Sequence, residues 1–284
     1  VVIKFWLPFM GPAFGTILRR IRKNKHTKIV AILDNVIPHE KRPGDRAFIR
    51  YFIKSCDAFI AMSKKVLEDL RVFTAGKPAR LIPHPLYDNF GEKISKAAAR
   101  QHLGVGAEDK IILFFGFIRK YKGLDLLLEA MNDPRIRSEN IKLIVAGEFY
   151  EDEKAYREII ERFQLQGSVI LKTDFVPDNQ VKYYFCAADA VMQPYRHATQ
   201  SGITPMAYHF ERPMVVTNTG GLPEIVPDGK VGFVTEPRPP AIADAIIKFY
   251  TFDAEYFMEN IKKEKEKYSW KNMAEGIVEL VVSS

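Results

Sequence analysis

The feature that most constrains this chain is a recurring pattern. Short apolar runs without polar alternation are separated by amphipathic stretches of about a dozen residues. KIVAIL (28–33), KIILFFG (110–116), KLIVA (142–146), AVMQ (190–193) and MVVT (214–217) are the clearest runs. A strand with one face in water alternates apolar and polar residues, and these do not. They therefore belong to parallel sheets buried on both faces, with the intervening stretches as crossover helices. Further strands are predicted at 1–6, 58–62, 79–82, 169–171 and 232–235. Helices are predicted at 12–23, 47–56, 64–73, 95–103, 124–131, 151–163, 178–187, 203–210 and 241–250, with one turn at 223–226. The tail, 254–267 and 270–282, reads as helical.

The polar stretch 87–106 interrupts this rhythm, and the sequence predicts a domain boundary there: 1–90, then 91–284. The second part holds enough βα units for a complete doubly wound domain. The first holds about half of one, so the expectation is that roughly three βα units of about 30 residues precede it. No run reaches the ~18 apolar residues of a membrane-spanning helix, and no signal peptide opens the chain. Cys56 and Cys186 lie far apart in apolar surroundings. They form neither a disulfide framework nor a metal cluster, which suits a reducing, cytoplasmic location, and both read as core. The net charge of +7 favours an anionic partner: nucleic acid, an acidic membrane surface or a phosphorylated small molecule. Zinc-finger spacing and basic stretches with interleaved aromatics are both missing, which argues against nucleic acid.

In open α/β sheets, ligands bind beyond the carboxyl ends of the strands, so the loops that follow strands are the candidate sites. Gly116-Phe117-Ile118-Arg119-Lys120-Tyr121-Lys122-Gly123 joins cations to a strand-end glycine and a helix start. Such a loop suits a phosphate; it is equally readable as a solvated basic loop. Read as an exposed loop cation, Lys122 is expected to contribute little to folding. HATQSGIT (197–204) holds Thr199, Gln200, Ser201, Gly202 and Thr204 ahead of a helix. These residues either cap that helix or seat a phosphate or sugar hydroxyl. Gly220-Gly221, followed by Glu224, is a tight turn or a place of close backbone approach to a ligand. In TDFVPDNQ (173–180), Asp178 is a candidate N-cap, while Phe175 and Val176 either seat a nucleobase or pack in the core. His39, in a polar loop after a strand, has acid–base or orienting work to do or is merely exposed. His84 stands between two prolines at the boundary, where it is structural or lines a cleft. No P-loop, nucleophile elbow, Gly-x-Gly-x-x-Gly or H-E-x-x-H is present.

The order of these segments resembles that of the GT-B glycosyltransferases of glycosyltransferase family 4, often called group 1 glycosyltransferases. The matching pieces are GFIRKYKGLDLLLEAM, KLIVAGE, TDFVPDNQ, AADAVMQPY and ERPMVVTNTGGLPEIVPDGKVGFVTEP. The resemblance covers the chain from about residue 29 and is strongest over 110–237. The helix after Tyr268-Ser269-Trp270 resembles the family's C-terminal element. The resemblance implies an α/β, GT-B-like fold of two doubly wound Rossmann-like domains, the N-terminal one incomplete. The C-terminal domain would bind a nucleotide-sugar donor and the N-terminal domain a carbohydrate or lipid-linked acceptor. Transfer in the cleft would retain anomeric configuration and need no metal or other cofactor.

Carried over by position, Lys122 resembles the family's lysine on the donor diphosphate. Arg119 is shifted from the usual arginine place, where Phe117 stands. Gly116 closes the strand before that loop, Gly220, Gly221 and Glu224 match the G-G-x-P-E segment, and His39 resembles the histidine near the transferred sugar. One departure stands out. The family's pair of glutamates, on sugar and ribose, would fall near Ala198 and Met206, with Thr199, Gln200, Ser201 and Thr204 as the polar groups present instead. Two functions are therefore expected: a metal-independent, hexosyltransferase-like enzyme of cell-surface polysaccharide or glycolipid synthesis, or a non-catalytic nucleotide-sugar-binding module. Arg19, Arg20, Arg22, Lys23 and Lys25 end an apolar helix. They read either as a solvated helix end or as a surface for peripheral association with an acidic membrane at its cytoplasmic face.

Overall fold

The computed structural model describes residues 1–38, 42–86, 90–198 and 201–282. His39, Thr199 and Gln200, all expected in the site, lie outside the described residues. The chain divides into two compact units: Val1–Pro85 together with the chain from Glu266 onward, and Leu86–Lys265.

The first unit has a parallel sheet in the order β1-β2-β3-β4: β1 (Val2–Phe5), β2 (Val30–Leu33), β3 (Ala58–Ala61) and β4 (Ala79–Leu81). The register aligns Phe5 with Leu33 and Leu33 with Ala61. Successive side chains point to opposite faces, and both faces are covered. On one, Phe5, Ala31, Leu33, Phe59 and Ala61 meet Leu18 of helix Gly11–Ile21 and Ile49 and Phe52 of helix Asp45–Ser55. The Phe5 and Phe52 rings stack at 4.1 Å. On the other, Val30, Ala58, Ile60 and Ile82 meet Met273, Ile277 and Leu280. These three form an i, i+4, i+7 stripe on helix Trp270–Val282.

That helix is where the observed division departs from the expected one. Its apolar stripe closes the second face of the first sheet, so the tail belongs with the N-terminal unit rather than with 91–265. Cys56 is buried under the first sheet's helices, and burial pushes its thiol up to about 12. Cys186 is equally buried in the second unit.

The second unit has a six-stranded parallel sheet: β5 (Lys110–Phe115), β6 (Ile141–Ala146), β7 (Val169–Lys172), β8 (Ala190–Gln193), β9 (Met214–Thr217) and β10 (Gly232–Thr235). The order is β10-β9-β8-β5-β6-β7. The chain starts at the centre, runs outward through β6 to β7, then returns to β8 on the opposite side of β5. Strand order reverses there, and the loops after β5 and β8 diverge to leave a crevice. Helix Asp178–Ala187 packs on helix Lys96–Leu103, with the His102 and Tyr183 rings stacked at 3.7 Å. A short helix that the sequence reading does not include, Pro134–Ser138, is started by the Asp133 carboxylate accepting from the Arg135 N–H at 2.9 Å. Among the described residues, no helix is long and apolar enough to cross a membrane.

Candidate functional site

The crevice at the strand reversal is a pocket of about 340 Å³, built entirely within the second unit. Its floor is the end of β5 and β6. Gly116, at φ +93°, and Gly147, at φ +131°, approach so closely that a Cβ on Gly147 would stand 2.6 Å from the Gly116 carbonyl oxygen. Bare backbone therefore faces the pocket there. Phe117 and Glu148 follow these glycines, Phe175, Val176 and Asp178 come from the segment after β7, and Tyr195, Ser201, Gly202 and Met206 come from beyond β8.

Lys122 is the pocket's cation. It ends a 3₁₀ turn, Lys120–Lys122, and Gly123 at φ +69° then redirects the chain into helix Leu124–Ala130. A Cβ on Gly123 would lie 2.0 Å from the Pro194 carbonyl oxygen, so the turn is pressed against the end of β8. This packing buries the lysine, which is 8% exposed rather than the solvated loop cation the sequence suggests. Its Nζ stands over Gly116, 3.2 Å from where a Cβ would be, and 5.9 Å from the Tyr195 ring centroid. Among the described residues it has no hydrogen-bond or ion-pair partner. Burial, followed by the charge of Arg119, lowers its pKa to about 8. A buried cation with no ion-pair partner among the described residues makes this end of the pocket a candidate seat for an anion.

The other expected residues divide. Gly116, Phe175, Val176, Ser201 and Gly202 line the pocket with Lys122. Phe175 is 62% exposed, so it is a wall rather than core packing. Asp178 also lines the pocket; it is the first residue of its helix, whose N-cap is Pro177. Ser201 Oγ accepts from the Ile203 N–H at 3.2 Å and lies 3.2 Å from the Tyr195 hydroxyl, which burial holds above the ordinary tyrosine pKa. It therefore lines the pocket while accepting from the first N–H of helix Ile203–His209, whose N-cap is Gly202.

Four expected residues and Arg119 are not walls of the pocket. Arg119 adopts an extended conformation and lies over the Tyr150 ring at 4.9 Å. The hydroxyl of Thr204 is buried and donates to Gln193 Oε1 at 3.1 Å. Gly220 and Gly221 form the turn after β9, and Glu224 lies in the short helix Leu222–Ile225. That turn neighbours the site through Thr219, whose hydroxyl donates to the Tyr195 carbonyl at 3.1 Å. The sequence reading does not single out Glu148 and Tyr195 as site residues, although each is the second residue after the end of a strand. Among the described residues, no group of three or more His, Cys, Asp or Glu side chains is placed to hold a metal ion.

Comparison with known proteins agrees with this architecture. An uncharacterised glycosyltransferase of Methanocaldococcus jannaschii is 32% identical over 186 residues, covering 63% of this chain and 46% of that protein. The D-inositol 3-phosphate glycosyltransferase of Corynebacterium urealyticum is 29% identical over 191 residues, covering 64% of this chain and 45% of that protein. The chain thus spans about half the length of the curated relatives it matches. Among solved structures, Anabaena HepE in complex with UDP superposes with a TM-score of 0.75 at 19% identity, over 96% of this chain and 77% of that one. At that identity the likeness concerns the fold, which is GT-B-like with two Rossmann-like sheets. Residues 109–251, about half of the chain and all of the pocket's walls but one, match the family described as glycosyl transferases group 1. With the sheet order, the strand-end pocket and the matched sequence in agreement, this chain belongs to the group 1 glycosyltransferases.

Proposed function

We propose that the protein binds a nucleotide-diphosphate sugar in the pocket of its second unit and transfers the sugar, with retention of configuration, to a carbohydrate or lipid-linked acceptor. The observation that carries this reading is the buried ammonium of Lys122 at the strand reversal, which has no ion-pair partner among the described residues. As the glycosidic bond breaks, negative charge grows on the leaving diphosphate. A cation already held in a low-dielectric site stabilises that charge without reorganising, and this reading needs no metal ion. The exposed ring of Phe175 and the backbone at Val176 suit a nucleobase. The Anabaena relative with UDP and with UDP-glucose in its structures makes uridine diphosphate the first nucleotide to try. By the family resemblance, His39 is assigned to the transferred sugar.

The relative named lipopolysaccharide 1,2-N-acetylglucosaminetransferase supports an acceptor of the cell-surface or glycolipid kind. Peripheral association with an acidic membrane at its cytoplasmic face fits that acceptor. Arg19 is engaged with Ser55 and over the Tyr51 ring, and Arg22 pairs with Asp57, which leaves Arg20, Lys23 and Lys25 to face solvent.

One observation favours a second reading, a non-catalytic nucleotide-sugar-binding module. Met206, an apolar side chain, lines the pocket near the place of a family glutamate, and the Thr204 hydroxyl serves Gln193 instead of the pocket. Calorimetry with UDP-, GDP- and ADP-glucose, followed by assays of donor hydrolysis and transfer, separates the two. Binding with turnover supports the enzyme, and binding without either reaction supports the module. No binding of any of the three sinks both.

A further inference from the structure

The pocket depends on a lysine held where water barely reaches it, and the turn that carries it is a 3₁₀ turn, Lys120–Lys122. Inside the turn, the Lys122 N–H donates to the Arg119 carbonyl at 2.8 Å and the Gly123 N–H to the Lys120 carbonyl at 3.1 Å. The remaining anchors come from Arg196, just after β8. Its backbone N–H donates to the Tyr121 carbonyl at 2.7 Å. Its guanidinium donates to the Lys120 carbonyl at 3.2 Å and to both oxygens of Asp125, at 2.6 and 2.7 Å. Asp125 lies in the first turn of helix Leu124–Ala130, where a carboxylate is favoured by the helix dipole.

We infer that Arg196 and Asp125 are positioning residues for the donor site: their two-pronged ion pair latches the turn after β5 to the loop after β8, and so fixes Lys122 in the pocket. The inference rests on the donor reading above for its purpose, but not for its geometry. Neither residue lines the pocket, so the pair acts through the turn and not by touching a ligand. The planar guanidinium matters because it spans a carboxylate and a backbone carbonyl at once; an ammonium cannot hold both in a fixed fork. Without the latch the turn is free to lift, and the lysine regains hydration.

The groups that face Lys122 are Arg119 on its own turn, the Tyr195 ring from beyond β8, and the pocket-lining Tyr121, Glu148, Asp178 and Ser201. Loss of the latch changes none of them chemically. A shift in Lys122 titration in a latch variant therefore reports position, which a merely stabilising ion pair would leave alone.

The test uses the full chain, with Arg196→Gln, Arg196→Lys and Asp125→Asn. Lysines are labelled by reductive ¹³C-methylation, Lys122 is identified by its loss in Lys122→Met, and its titration is followed by NMR. Affinity for inorganic pyrophosphate and for UDP is measured by calorimetry at pH 7. The wild type should titrate near the depressed value, and Arg196→Gln and Asp125→Asn should move upward by about one pH unit or more. Pyrophosphate affinity should fall by about tenfold or more in both, with Arg196→Lys in between. Asp125→Asn keeps one acceptor for the fork and serves as the milder variant if Arg196→Gln does not fold. Folded variants with wild-type titration and wild-type affinity overturn the latch. If the wild type binds neither pyrophosphate nor UDP while the titration still moves, the latch stands and the donor reading fails.

Discussion

Replacing Lys122 by methionine should make the second unit more stable and disarm its pocket. The lysine pKa falls from 10.5 to about 8 because the side chain is buried and Arg119 stands near it. At about 1.4 kcal/mol per pH unit, that difference is a penalty of about 3 kcal/mol carried by the folded state while the amine is charged. Methionine keeps most of the stem and removes the charge, so at pH 7 the variant should gain up to about 3 kcal/mol, or about 6–12 °C in melting temperature for a unit of this size. The sign with pH follows from proton counting. Between pH 8 and 10.5 the unfolded chain still holds the proton that the folded chain has released. Wild-type stability therefore rises with pH through that window relative to the variant. The gap, about 3 kcal/mol at pH 7, should shrink to about 1.5 kcal/mol at pH 9.5. Scanning calorimetry of both proteins at the two values of pH measures this directly, and the wild-type-minus-variant difference cancels the other titrating groups. A parallel titration with pyrophosphate should show binding in the wild type and a loss of ten- to a hundredfold or more in the variant, as expected of a charge-assisted contact. If Lys122→Met is less stable than the wild type at pH 7, or the gap stays constant with pH, the ammonium is not desolvated and the anion-site argument fails.

Gly123→Ala puts a Cβ into the Pro194 carbonyl at a left-handed backbone position. It should destabilise by about 1–3 kcal/mol and weaken pyrophosphate binding, both readable in the same two assays. Leu280→Ala removes a buried side chain from the helix that closes the first sheet; it should cost about 2–5 kcal/mol, seen by hydrogen exchange as lost protection in β2 and β3 while β5 and β6 stay protected. Phe175→Ala should leave the melting temperature unchanged and weaken UDP more than pyrophosphate, since an exposed ring contributes to a base and not to a phosphate; equal loss for both ligands would contradict the nucleobase seat. Vesicles rich in phosphatidylserine should capture the protein weakly at low salt, with about 1 kcal/mol from each of Arg20, Lys23 and Lys25, and release it at high salt; flotation without co-migrating protein at low salt counts against membrane association.

The sheets were legible because their strands are buried on both faces, which leaves runs such as KIILFF and MVVT with polar residues only at their ends. The reversal between β5 and β8 follows from counting crossovers only after pairing is known, because a βαβ unit has the same periodicity on either side of a sheet. The same limit applies to helix Trp270–Val282. Its stripe of Met273, Ile277 and Leu280 is plain in the sequence, but an apolar stripe does not say which sheet it covers. Only contact with Val30, Ala58 and Ile60 assigns it to the first unit.

Loops 116–123, 173–180 and 197–204, named from the sequence, meet at the pocket, but the sequence does not rank the residues on them. Arg119 and Lys122 are both cations in one short loop, and nothing in their spacing distinguishes a surface arginine over Tyr150 from a buried lysine over Gly116. The distinction comes from a close approach between segments far apart in sequence, Gly123 under the Pro194 carbonyl, which converts a loop position into an interior one. Thr204 illustrates the converse. A hydroxyl in the first turn of a strand-end helix invites a ligand role, yet the buried amide of Gln193 at the end of β8 takes its hydrogen bond. A buried polar side chain on a central strand needs a partner, and it draws that partner from the nearest helix turn. Of the two signals, the glutamine in AVMQ was the readable one: a polar residue closing an otherwise apolar strand marks the place where a neighbouring hydroxyl will be used for structure before it is available for binding.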